Sequence, residues 1–312
     1  MTEKIRFGAF YNRAAGTPIE FAKKIEDLGY DGFFMGESPN NRGPSTDTLT
    51  TLAYVVGHTK HLVVGPDVLL LPLHHPAWVA RIAASIDVLS GGRLVLPIGV
   101  GGEFAKQFEA FGVPVNERGR RTNEAIEVMR ALWTQEEASF HGRFWQFEGI
   151  KMEPKPIQKP HPPIWIGGRP GGQGKSQTAA VRRAARYGDG WDPYYITIET
   201  YADTVQQIKS LAAEFNRDLS NFEWAVTTFW LMRSTLDEAI DVAAKKMRYG
   251  RELSRERIMR YDILGSPKDT IERLEKFVEA GARYFICNWS CDPPEVSHHL
   301  EWIAKEVIPH FK

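Results

Sequence analysis

Alternation constrains this chain more than any other feature. Eight short apolar runs, bounded by glycine, proline or polar clusters, are each followed by a segment with helical spacing. The strands are expected at Ile5–Tyr11, Gly32–Gly36, Leu62–Leu71, Arg93–Ile98, Pro163–Gly167, Gly190–Pro193, Glu223–Leu231 and Tyr284–Asn288. The helices are expected at Pro18–Leu28, Asp47–Thr59, Pro76–Leu89, Asn116–Thr134, Ser176–Tyr187 and Ile198–Asn216. Two more follow at Thr235–Tyr249 and Pro267–Gly281, and a last one at Pro293–Ile308. Such a series over 312 residues favours one closed α/β barrel spanning 1–312 over an open sheet. Two insertions fall outside the repeat. Residues 136–162, after helix four, read as a hairpin turning at Gly142-Arg143 and then a proline-rich connection; residues 249–265, after strand seven, are polar and irregular. Either insertion covers the mouth of the barrel or decorates its surface.

Composition removes several classes of function. Lys plus Arg (39) balances Asp plus Glu (39), with no long run of either sign, so neither nucleic acid nor a membrane is an expected partner. Cys287 and Cys291 lack the companions that a disulfide framework or zinc site needs, and no metal is expected. MTEKIRFGAFY reads as a strand without a signal peptide's apolar core, and no run of about 18 apolar residues occurs. The expectation is a soluble cytoplasmic protein acting on a small molecule.

The glycine-rich loop Gly99-Val100-Gly101-Gly102-Glu103 sits at the carboxyl end of the fourth strand. Parallel α/β proteins bind ligands at that end. Three glycines in four positions either let a backbone approach a flat or phosphorylated ligand, or supply positive φ to a long turn. The loop is neither a Walker nor a dinucleotide motif, for it lacks Gly-Lys-Ser/Thr and no helix opens on its last glycine.

Longer segments carry a resemblance. Leu28-Gly29-Tyr30-Asp31-Gly32, VLLLPLHHPAWVAR (68–81), LSGGR (89–93), GVGGEFAKQFEAFGVP (99–114) and ERGRRTNEAIEVMRALW (117–133) occur in order. PHPPIWIGG (160–168), RRAARYGDGW (182–191) and GSPKDTIERLEKFVEAGARYF (265–285) complete the set. The chain is similar to the bacterial luciferase-like monooxygenase superfamily, and within it to the coenzyme F420-dependent oxidoreductases. The resemblance implies a (β/α)8 TIM barrel, commonly a homodimer, with a flavin or deazaflavin at the carboxyl ends of its strands. It also implies a non-proline cis peptide between Asp67 and Val68, forming a bulge behind the cofactor's central ring. Gly99, Gly101 and Gly102 would then contact the cofactor. Gly167 and Gly168, with Lys175 and Ser176 at the start of the next helix, offer a phosphate cradle. Trp191 in GDGW would wall the ring.

The implied reaction is hydride transfer, in which the protein orients, excludes water and handles a proton. Glu37, just past strand two, and Glu103 are the best-placed carboxyls for that proton. Many relatives carry a histidine beside strand two; here the segment is Gly36-Glu37-Ser38-Pro39. Tyr11, His74, Trp230 and Asn288 end or follow strands and are candidates for the substrate pocket. F420 is the favoured cofactor and hydride transfer to or from an organic substrate the favoured function. The alternatives are an FMN-dependent monooxygenase using O2 and a non-catalytic flavin-binding barrel.

Overall fold

In a computed structural model of the chain, the residues described are 4–37, 45–102, 105–170, 177–245 and 253–312. The strands are β1 (Arg6–Phe10), β2 (Gly32–Met35), β3 (Val63–Pro66), β4 (Leu69–Leu70), β5 (Leu96–Gly99), β6 (Ala138–His141), β7 (Gln146–Ile150), β8 (Ile164–Gly167), β9 (Gly190–Asp192), β10 (Glu223–Met232), β11 (Ile263–Gly265) and β12 (Tyr284–Trp289). The principal helices are α1 (Pro18–Asp27), α2 (Thr48–Val56), α3 (Pro76–Ser90), α4 (Ala105–Ala110), α5 (Arg118–Thr134), α6 (Gln177–Tyr187), α7 (Ile198–Glu214), α8 (Leu236–Ala244), α9 (Arg255–Tyr261), α10 (Pro267–Glu279) and α11 (Val296–Glu306). None is long and apolar enough to cross a membrane.

The parallel strands run β3-β2-β1-β12-β10-β9-β8-β5-β4. The ends of that path meet, because Val64 bridges Leu94 and the Val95 amide donates to the Val64 carbonyl at 3.0 Å. β3 and β4 share one barrel position, so the expected eight-position (β/α)8 barrel is what forms. Short polar signals start its helices. Thr17 and Glu20 form a capping box before α1, Asp47 caps α2, and Ser266 with Asp269 caps α10.

Three expectations need correction. The strand expected over Leu62–Leu71 is interrupted where the resemblance implies a bulge, for Asp67 and Val68 leave the sheet. Val64 faces Leu94 while Leu69 faces Ile98, so six residues on one strand oppose five on the next. One extra residue is accommodated as a bulge. The loop after β5 contains α4, whose Phe108 is fully buried and supplies an apolar anchor that the surrounding glycines and charges obscure in sequence. The stretch after strand seven is more regular than its polar composition suggests. Within it, α9 leads into β11, which pairs with β10 outside the barrel path. The expected hairpin forms as β6–β7, and Glu124 of α5 accepts the amides of Arg143, Phe144 and Trp145 at its turn.

Where the barrel closes, Arg93 acts as a clamp. Its guanidinium donates to the carbonyls of Leu62, Val56, Thr59 and Ser90 and to the Thr59 hydroxyl. It thereby ties the ends of α2 and α3 to the start of β3. Arg93→Ala removes all five bonds at a half-buried site and should lower unfolding stability by about 2–4 kcal/mol, measured by denaturant titration. Arg93→Lys should recover only part of this, since an ammonium cannot span the same carbonyls.

Candidate active site

Alternation sorts each strand into a face toward the barrel axis and a face toward the helices. Phe34, Val95, Trp165, Ala225, Tyr284 and Ile286 pack together inside the barrel, with Phe10 and Val63 against them. The same parity brings Gly36, Asp67, Gly99, Gly167, Asp192, Thr227 and Asn288 to the carboxyl-end mouth. Three of these seven have no side chain, and Val68 of the bulge takes up the room beside two of them. A Cβ at Gly99 would stand 2.5 Å from Val68 Cγ2, and one at Gly167 2.6 Å from Val68 Cγ1. Those two glycines make room for Val68, and Val68 presents the flat apolar surface. The Asp67–Val68 peptide is cis, as the resemblance implies.

At the carboxyl ends of β2 and β4, Glu37 and His74 form a pair. His74 Nε2 lies 2.6 Å from Glu37 Oε1, and Glu37 Oε2 accepts the Leu70 amide. Glu37 is buried and His74 about a quarter exposed. Burial opposes charge on the imidazole, but Glu37's hydrogen bond and charge, helped by Asp47, outweigh it and raise the His74 pKa above the usual histidine range. The histidine that the segment after strand two lacks is thus supplied by the segment after strand three.

Across the mouth, Thr227 Oγ1 lies 2.9 Å from Asp67 Oδ2 and 3.1 Å from Asp192 Oδ1. Burial pushes Asp67 up to about 7, with the Thr227 hydrogen bond working against it. Burial, and then the charge of Asp67, push Asp192 well above the carboxylate range. Asp192 and Thr227 were not among the residues expected from the sequence. Their signal was parity, since a charged residue two positions after Gly190 must face the axis if Gly190 does.

Other candidates lie elsewhere. Trp191 is fully buried on the helical side of β9, stacked on Tyr201 at 5.0 Å, and its indole N–H donates to the Gly168 carbonyl at 3.0 Å. It holds the backbone of the cradle but does not wall the mouth. Tyr11 stacks on Phe33 and donates to the Gly16 carbonyl, on the outer side of β1; Phe10 is the neighbour that faces in. Trp230 is likewise fully buried and packs edge-on against Phe7, so Phe229 takes the inward position on β10. Asn288 is half-buried on the inner parity of β12, as expected. Gly101 and Gly102 have φ of +59° and +107°, the positive φ that one reading of that loop called for. A Cβ at Gly101 would meet Phe108, and one at Gly102 the Arg118 guanidinium. Gly168 has φ of +118° and faces Ala180 of α6. Glu103, Lys175 and Ser176 lie outside the described residues.

A cavity of about 410 Å³ opens at the opposite, amino-terminal end, bordered by Arg6, Glu223, Asp189 and Arg217. Those four already form ion pairs with one another, Arg6 with Glu223 and Arg217 with Asp189.

The raised His74 pKa has a consequence for stability. A folded pKa above the unfolded value contributes stability that is fully present below the unfolded pKa of about 6.5 and lost as pH rises through the folded value. Glu37→Gln should return the His74 titration midpoint to or below about 6.5, followed by NMR of the ring protons, and should abolish this part of the pH dependence. An unmoved midpoint would show that the pair does not set the charge.

The architecture has counterparts among known proteins. The profile of the luciferase-like monooxygenase family matches residues 11–284. Over 173 residues the chain is 35% identical to an FMNH(2)-dependent dimethylsulfone monooxygenase of Pseudomonas putida, a match covering 54% of this chain and 45% of that protein. The chain therefore spans about half the length of that curated relative. It is 24% identical to an F420-dependent glucose-6-phosphate dehydrogenase of Microbacterium testaceum, across 100% of this chain and 99% of that one. Among solved structures, an F420-dependent secondary alcohol dehydrogenase superposes with a TM-score of 0.83 at 19% identity, covering 99% of both chains. With its profile matched over most of its length and its barrel shared, the chain belongs to the luciferase-like monooxygenase family.

Proposed function

We propose that this chain is an F420-dependent oxidoreductase that moves a hydride between the deazaflavin and a small organic substrate. The observation that carries the reading is the Glu37–His74 pair at the mouth, a histidine with one nitrogen fixed by a buried carboxylate. The end-to-end likeness to an F420-dependent dehydrogenase supports it.

The mouth fits a flat ring. Gly36, Gly99 and Gly167 add no side chains to the mouth, Val68 offers an apolar floor, and the Gly168 carbonyl is fixed by Trp191. When bound, the deazaflavin supplies two-electron hydride chemistry. The protein's part is the proton: an alcohol that loses a hydride from carbon must also lose its hydroxyl proton. His74 Nδ1 makes no hydrogen bond among the described residues, whereas Nε2 is held by Glu37, so Nδ1 is the atom to take or return that proton. Glu37 orients the ring and stabilises the imidazolium that results.

A second reading, an FMN-dependent monooxygenase, is favoured by the 35% identity to the dimethylsulfone enzyme. A non-catalytic carrier has no use for an aligned carboxylate–histidine pair. Tyr54, Trp78 and Leu89 are more than half exposed on α2 and α3; we infer a homodimer through those helices.

Titrating the purified protein with F420 and with FMN, read by fluorescence, should give saturable binding of F420; tight FMN binding without an F420 response overturns the reading in favour of the second. Screened with F420 against alcohols, sugar phosphates and enones, the His74→Ala variant should lose about 100-fold or more in kcat while its cofactor affinity changes little. A variant that turns over at the wild-type rate removes the proton role.

A further inference from the structure

Ionised side chains cannot supply enough hydrogens for the three polar groups across the mouth from His74. Thr227 Oγ1 is within hydrogen-bond distance of both Asp67 Oδ2 and Asp192 Oδ1. A hydroxyl has one hydrogen and can donate to only one of them. The other contact then sets a lone pair against a carboxylate oxygen, unless that carboxyl brings its own proton. Asp192 is 2% exposed, and its Oδ2 has no hydrogen-bond partner among the described residues. Buried with a bare oxygen, a carboxylate pays a heavy desolvation cost. A neutral Asp192 removes both difficulties: its Oδ1–H donates to Thr227 Oγ1, and Thr227 Oγ1–H donates to Asp67 Oδ2.

We propose that Asp67, Thr227 and Asp192 form a proton-holding chain in the mouth, with a resident proton on Asp192 and an exchangeable one on Asp67, so that seating an anionic redox ring there draws a proton from solvent. The coupling to a ring rests on the function proposed above; the proton chain does not.

The surroundings favour this assignment. Neither carboxyl forms an ion pair with a cation among the described residues. From α7, Tyr201 lies against Trp191 on the helical side of β9 and donates its hydroxyl to the Ala225 carbonyl. Arg169, after β8, directs its guanidinium to the Tyr195 carbonyl and to the rings of Tyr194 and Tyr195. From the β2–β4 side the ionisable groups are Glu37 and His74, already paired; β5 and β12 bring Gly99 and the uncharged Asn288. With Asp67 pushed up to about 7, a neighbouring negative charge favours its neutral form, so proton uptake on binding follows, up to one per site.

The free protein, with carboxyl-labelled aspartate, is titrated by carbon NMR. One aspartate should titrate in the neutral range and vanish from that range in Asp67→Asn, while a second remains protonated beyond it and is lost in Asp192→Asn. Thr227→Ser should keep the neutral titration, whereas Thr227→Val should shift it upward by removing the hydrogen bond to the ionised form. Aspartates that all ionise in the ordinary acid range overturn the proposal. Calorimetry of reduced F420, and of reduced FMN, in buffers of different ionisation enthalpy then counts protons. Uptake near neutral pH that disappears in Asp67→Asn supports the coupling, and ring binding with no uptake overturns it. If neither ring binds, the reading of function fails, and the NMR titration alone decides the proton chain.

Discussion

One residue too many between β3 and β4 organises the mouth of this barrel. Six residues from Val64 to Leu69 oppose five from Leu94 to Ile98, and the surplus pushes Asp67 and Val68 inward. Packing propagates the consequence. Val68 occupies the volume that side chains at 99 and 167 would need, so β5 and β8 end in glycine. A Cβ at Gly36 would stand 2.9 Å from Phe10 and 3.2 Å from the Asp67 carbonyl, so β2 ends in glycine as well. The glycines after these strands are therefore first a response to the bulge. Their openness to a ligand follows from that response.

Much of the architecture was legible because alternation and capping are local. Thr17-Pro18 with Glu20, Asp47 and Ser266-Pro267 with Asp269 mark helix starts by chemistry that acts within four residues. The break in strand three was legible only through the resemblance, since Gly65-Pro66-Asp67 by itself shows only a kink and the opposing strand must be counted to find the surplus. Helix α4 and strand β11 escaped for a different reason. Each is short, and each is fixed by a distant partner, Phe108 against the glycine loop and Ile263 against Trp230.

For the site, residue type was a poorer guide than parity. Tyr11, Trp191 and Trp230 attract attention as large rings near strand ends, yet all three face the helices and serve packing or backbone hydrogen bonds. One step away, Phe10, Asp192 and Phe229 face the axis. Anchoring the alternation on interior glycines, where no side chain fits between Phe34 and Tyr284 at Gly8 or beside Trp165 at Gly190, would have selected them. Glu37 was legible from its place after strand two. Its partner was not, because His74 lies 37 residues on and reaches Glu37 only when β2 and β3 pair.

The two proton-handling groups of the mouth are built on opposite electrostatic principles. At Glu37–His74 a buried carboxylate holds a cation, so the pair can gain or lose a proton while its charge stays near zero or minus one. At Asp67–Thr227–Asp192 burial acts without a cation, and the same range of pH moves the group between neutral and minus one by protonating a carboxyl. Both are shifted upward, the imidazole by its carboxylate partner against the cost of burial and Asp67 by burial, the latter to about 7. A ligand that changes charge between them therefore meets a titratable group on each side. The bulge supplies one side directly, through Asp67, and positions the other, because β4 resumes after it and carries the Leu70 amide that pins Glu37 beside His74.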